Sequence, residues 1–133
     1  MKAITFNLLA WVMLPIMDGF ANIYNSELKN TKLILPYLNK DKFDVFHLYT
    51  VYHKKRDLIM KKLLKQKIQT RIIYPYPIHK MKGYSFLFKK EKYKISEAKS
   101  KGIFSLPLYP ELDIKRVKII CKKLKKILLS IEN

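Results

Sequence analysis

Three histidines, one cysteine and ten carboxylates are the side chains from which acid–base, nucleophilic or metal chemistry would have to be built. Their spacing assembles none of it. His47 falls inside a β-branched, aromatic run, His53 just after it and His79 behind Pro77-Ile78, so no His-x-x-x-His pair occurs. Cys121 stands alone, which excludes a cysteine-based metal cluster and an intramolecular disulfide. Asp and Glu are scattered singly and do not form an acid/base dyad, and three glycines (Gly19, Gly83, Gly102) supply neither a P-loop nor a nucleophile elbow. The distinctive stretch is Tyr74-Pro75-Tyr76-Pro77-Ile78-His79. Prolines fix its backbone, and a rigid loop at a strand end carrying phenols and an imidazole suits the edge of a ligand pocket. A tight aromatic-packed loop without a ligand fits the same residues.

The elements around that loop follow from periodicity. Val45–Tyr52 is β-branched and aromatic throughout and reads as a strand apolar on both faces. Arg56–Gln66 places Leu58, Ile59, Met60, Leu63 and Leu64 at helical spacing with Lys61, Lys62 and Lys65 outward. Gln69–Tyr74 reads as a second strand, ended by Pro75 and Pro77, which cannot donate to a ladder. Ser96–Ile103 is a short helix candidate stopped before Pro107. The clearest element begins at Asp113, a good N-cap, and runs Val117, Ile120, Cys121, Leu124, Ile127, Leu128 and Ile131 along one stripe. Cys121 on that stripe reads as a small buried hydrophobe.

With 133 residues, 49% of them hydrophobic, the chain suits one core and not two. Its formal charge is +18, carried by 25 lysines and only Arg56, Arg71 and Arg116. Phosphate and base recognition lean on the arginine fork, so we read the lysine excess, with its accompanying Ile, Tyr and Phe, as drift of an A+T-rich coding sequence. The lysines of the last helix read as a solvated face. Lys2 followed by Ala3–Met17 has the outline of a signal peptide, but Asn7 and Pro15 interrupt it and no small-x-small cleavage site follows. That run is also short for a bilayer span. It reads as an apolar segment packing on the domain or a displaced start of a longer frame, and the expected compartment is the cytoplasm.

The order His47-Leu48-Tyr49, Lys67-Ile68-Gln69-Thr70-Arg71, Ile73-Tyr74-Pro75-Tyr76-Pro77-Ile78-His79 and Ser105-Leu106-Pro107-Leu108-Tyr109-Pro110-Glu111-Leu112 before a terminal helix resembles the C-terminal domain of the DegT/DnrJ family of pyridoxal-phosphate-dependent nucleotide-sugar aminotransferases. The family pattern has His where this chain has Ile73, and Gly where it has Lys67. The resemblance implies an α+β fold, the small C-terminal domain of a fold-type-I aminotransferase, with a short antiparallel sheet packed by two to three helices. Tyr24–Leu28 then forms the tail of a preceding long helix, residues 1–22 are an apolar N-terminal segment, and residues 23–133 are the small domain.

The same resemblance implies membership of a family serving nucleotide-sugar or cell-surface polysaccharide biosynthesis. The large domain, with its Schiff-base lysine, does not match anything in this chain. We therefore expect no catalytic residue, no cofactor in this chain alone, pyridoxal phosphate (PLP) in the complete family enzyme, and no activity in isolation. Tyr74, His79 and Tyr84 are the candidate substrate-binding residues, while His47 and Tyr49, mid-strand, are structural. Expected partners are a separately encoded large domain or a homodimer partner, with nucleotide sugar bound by the complete enzyme; nucleic acid is not expected. The alternative is a small basic module that binds nucleic acid or an anionic membrane.

Overall fold

The computed structural model describes residues 17–37, 46–88 and 92–132. The N-terminal apolar run, apart from Met17, lies outside the described residues, as does Val45. In chain order the elements are α1 (residues 17–28), β1 (Tyr49–Tyr52), α2 (Arg56–Lys65), α3 (Lys94–Ser100), β2 (Ile103–Leu106) and α4 (Ile114–Glu132). Among the described residues no helix is long and apolar enough to cross a membrane.

The α4 stripe forms as its spacing dictates. Asp113 Oδ1 accepts from the backbone N–H groups of Lys115 and Arg116, which caps the first turn. Val117, Ile120, Cys121, Leu124, Ile127, Leu128 and Ile131 are all buried, each of the larger ones contributing about 1.5–3 kcal/mol of apolar transfer. Burial pushes the Cys121 thiol up to about 12, so it is a neutral core side chain at physiological pH.

Against this helix lies a two-stranded antiparallel sheet in which Tyr49 faces Leu106 and Tyr52 faces Ile103. Two four-residue strands are not stable by themselves, so the helices must hold them. Tyr24 of α1 stacks on Tyr49 with ring centroids 4.7 Å apart, and its hydroxyl donates to the Pro107 carbonyl at 2.8 Å. The Tyr49 hydroxyl donates to Asn25 Oδ1 at 3.0 Å. Burial raises the pKa of both phenols. On the other side α2 packs on α4 through Ile59 and Leu63, and the Lys55 ammonium donates to the Ile131 carbonyl, where the α4 dipole is negative.

The α+β architecture and its antiparallel sheet are those expected, and Tyr24–Leu28 does end a helix. Four local readings are corrected. The first strand starts at Tyr49, and His47 sits exposed in the bend before it. Residues 69–74 form one bridge, Arg71 to Ser105, because Pro75 and Pro77 cut the segment short and β2 is itself only four residues long. The third helix ends at Ser100, and Ile103, expected at its end, opens β2 instead. Leu58 and Leu64 are exposed on α2, whose buried residues are Ile59 and Leu63. Gly102 makes the helix-to-strand change feasible: a Cβ there would strike the Tyr52 ring and lie 2.9 Å from the His53 carbonyl oxygen.

The turn after α2 carries a local strain. Lys67 has φ 61°, in the left-handed region, and is the only non-glycine residue with positive φ among the described residues. The amides of Lys67 and Ile68 donate to the carbonyls of Leu64 and Leu63, and buried Ile68 accompanies buried Leu63, which together make a Schellman stop. This is the position at which the resembled pattern carries Gly. Restoring it, Lys67→Gly, should raise unfolding stability by about 1 kcal/mol, because the left-handed penalty of an L side chain is removed. Urea unfolding followed by far-UV circular dichroism checks this.

Candidate functional site

The proline-aromatic loop is a succession of tight turns. The amides of Lys80 and Met81 donate to the carbonyls of Pro77 and Ile78, closing a 3-10 turn over Ile78–Lys80. The amides of Tyr84 and Ser85 return to the Met81 carbonyl, and a second 3-10 turn covers Ser85–Phe88. Pro77 precedes the first turn at φ −62°, the angle its ring imposes, so the loop enters that turn pre-set.

The three candidate residues fare differently. His79 is tied inward: its Nε2 lies 3.1 Å from Glu97 Oε1 of α3, and its ring packs on Tyr93 at 4.8 Å and edge-on to Phe88 at 6.5 Å. Only 9% of its side chain is accessible. Tyr74 and Tyr84 are 62% and 53% exposed, and no hydrogen bond engages either hydroxyl among the described residues. No hydrogen bond or ring contact among the described residues links any two of the three. Tyr49 is structural, as expected, and His47 stands outside the strand in which it was placed.

Glu97 is the loop's anchor. Its second oxygen accepts from Lys80 Nζ at 2.6 Å, so one carboxylate binds two adjacent loop residues. The Lys80 hydrogen bond, then that of His79, holds this carboxyl below the usual carboxylate range.

Sequence reading missed a groove of about 770 Å³ between the turn after α2, the segment following β2 and the first half of α4. Leu48, Ile73, Leu108 and Tyr109 contribute apolar and aromatic wall, while Lys67, Arg71, Arg116 and Lys123 bring cations. A signal for it was present. Of three arginines, Arg56 is engaged by Asp57 and the carbonyls of Ser100 and Ile103, and the other two both line this groove.

Whether these residues suit PLP is a question about lysine. A Schiff-base lysine is activated by desolvation or a neighbouring cation inside a pocket, yet none of the described lysines is buried, Lys62, Lys123 and Lys125 reaching only half-burial. The described residues do not fit the cofactor, and no step through it is derived from them.

Residues 18–125 match the family described as the DegT/DnrJ/EryC1/StrS aminotransferase family. The chain belongs to that family. It is 38% identical over 97 residues to the dTDP-3-amino-3,6-dideoxy-alpha-D-galactopyranose transaminase of Aneurinibacillus thermoaerophilus, covering 73% of this chain and 26% of that one. Helicobacter pylori PseC, an aminotransferase involved in the biosynthesis of pseudoaminic acid, superposes with a TM-score of 0.77 at 26% identity, over 91% of this chain and 34% of its own. Bacillus subtilis NtdA, solved with the cofactor PMP bound, shares the fold at a TM-score of 0.72 and 23% identity, over 84% of this chain and 27% of its own. The chain thus spans about a quarter to a third of the length of these relatives.

The Glu97 anchor gives a signed pH dependence. With its folded-state pKa depressed, the clamp contributes order above the unfolded carboxylate range and loses it as pH falls through the lower, folded value. In an NMR titration the amides of Lys80 and Met81 should shift with a midpoint below the ordinary glutamate range, and Glu97→Gln should abolish that step.

Proposed function

We propose that this chain supplies the small-domain share of a PLP-dependent nucleotide-sugar aminotransferase and does not transaminate alone. The observation that carries this reading is the family match over residues 18–125, ending within a terminal helix that the structure builds as a core element. In the complete enzyme PLP acts as the electron sink for amino transfer, and the relative solved with PMP supports its use. The lysine that would carry PLP comes, in this reading, from a large domain in a separate polypeptide or in sequence beyond the matched residues.

Within such an assembly the exposed hydroxyls of Tyr74 and Tyr84 offer hydrogen bonds to a sugar nucleotide at the edge of its site. His79 holds the loop that carries them, through Glu97 and the Tyr93 and Phe88 rings. Ile73 replaces the family's histidine beside Tyr74 and removes one polar group from that edge. The relatives' names support an amino-deoxy sugar attached to a nucleoside diphosphate as the substrate class.

Incubation of the 133-residue chain with PLP, borohydride reduction and peptide mapping tests the claim of incompleteness. Reduced adducts should be sub-stoichiometric and spread over the exposed lysines. One lysine labelled at one equivalent would overturn it. A large-domain reading frame immediately upstream of the Met1 codon would add direct support.

A further inference from the structure

Two grooves adjoin on one side of the molecule. The first holds Lys67, Arg71, Arg116 and Lys123; the second, about 250 Å³ between α2 and α4, holds Lys62, Lys65 and Lys126. Gln66 lines both, so they neighbour each other across that residue, whose carbonyl accepts from Lys123 Nζ at 3.2 Å. Among the described residues no Asp or Glu lines either one. Glu111 and Asp113 flank the lining residue Leu112; Asp113 caps the α4 N-terminus, and Glu111 is exposed.

Arginine placement separates this surface from a general lysine coat. Arg71 and Arg116 are exposed, and neither guanidinium makes a hydrogen bond or ion pair among the described residues. Their forks match phosphate oxygens in a way that lysine does not. Tyr109, Leu108 and Ile73 line the same groove, so an apolar, partly aromatic wall stands beside the cations.

We propose that the adjoining grooves bind single-stranded nucleic acid, with Arg71 and Arg116 on successive phosphates, Lys62, Lys65 and Lys126 continuing the track, and Tyr109 stacking on a base. A cationic groove that follows the backbone beside an aromatic platform is the arrangement that sequence-tolerant single-strand binding uses. Duplex DNA hides its base faces from such a wall. An anionic bilayer engages a helix that buries an apolar face between its cations, whereas these cations line open surface grooves. A free nucleotide fills only the first groove and makes no use of the second. This goes beyond the aminotransferase reading and stands or falls separately from it.

Fluorescence anisotropy of the full 133-residue chain with fluorescein-labelled dT20, from 50 to 300 mM KCl, tests the proposal. Arg71→Gln/Arg116→Gln should weaken binding about tenfold and lower the log–log salt slope by about 1.4, at roughly 0.7 for each phosphate no longer neutralised. Lys62→Gln/Lys65→Gln/Lys126→Gln should lower it by about 2 on the same basis. Tyr109→Ala should weaken binding about fivefold with the slope unchanged. The control pair Lys29→Gln/Lys92→Gln, exposed lysines that line neither groove, should change affinity less than twofold. Three results overturn the proposal: equal weakening by the control and arginine pairs, displacement of dT20 by uridine diphosphate with the lysine triple variant unaffected, or binding to phosphatidylserine vesicles tighter than to dT20. Circular dichroism of each variant confirms that the fold is retained.

Discussion

Everything in this domain hangs on the buried stripe of α4. A nineteen-residue helix with seven buried positions supplies the longest buried face among the described residues, and it is the element on which α2 also rests. Two strands of four residues persist only when packed, and α1 adds to that packing through the Tyr24–Tyr49 stack. The helix in turn needs Asp113 at its start and Lys55 at its end, where opposite ends of the dipole are met by opposite charges. The first turn of α1 also belongs to this core, since Phe20 and Ala21 are buried in it. Family membership and packing therefore agree that the folded unit reaches back at least to α1.

The elements that the sequence announced are those whose stability is local. Periodicity alone marked α4 and most of α2, because a helix writes its buried face every three or four residues. The sheet was harder. β2 spans Ile103-Phe104-Ser105-Leu106, too short to show alternation, and it begins one residue after a glycine that closes the preceding helix region. Its existence depends on pairing with β1 some fifty residues away, and non-local pairing leaves no mark in a short window. Leu58 and Leu64 misled for a related reason: they sit at helical spacing, but α2 meets its neighbours through Ile59 and Leu63, with Met60 packed at the margin.

The candidate loop was legible as a rigid feature but not as a set of roles. Proline spacing foretold the turns, whereas the tie from His79 to Glu97 joins residues eighteen apart through a helix whose orientation the sequence does not reveal. A histidine chosen for its hydrogen-bonding capacity turns out to direct that capacity inward. Its contacts are with Glu97, Tyr93 and Phe88, none of them the neighbouring candidate tyrosines. Lys67 shows the opposite situation. Its position in the resembled pattern belongs to glycine, and the left-handed backbone explains that preference in physical terms: the turn geometry has been kept although the residue best suited to it has been replaced.

Net charge illustrates how composition and placement carry different information. Twenty-five lysines spread over a small surface produce a strong average field and no specificity, which is why the total of +18 favoured a solvated coat over a binding face. Placement reverses that weighting on one side of the molecule. Three arginines divide into one consumed by the fold, Arg56, and two exposed in one groove, and among the described residues no acidic side chain lines either groove. A surface shaped by codon drift alone would scatter its lysines without regard to groove or crest, and it has no reason to set both available guanidinium forks in the groove that Tyr109 lines. The contrast between scattered ammonium groups and paired forks is the physical basis for treating that groove, and not the charge as a whole, as a site.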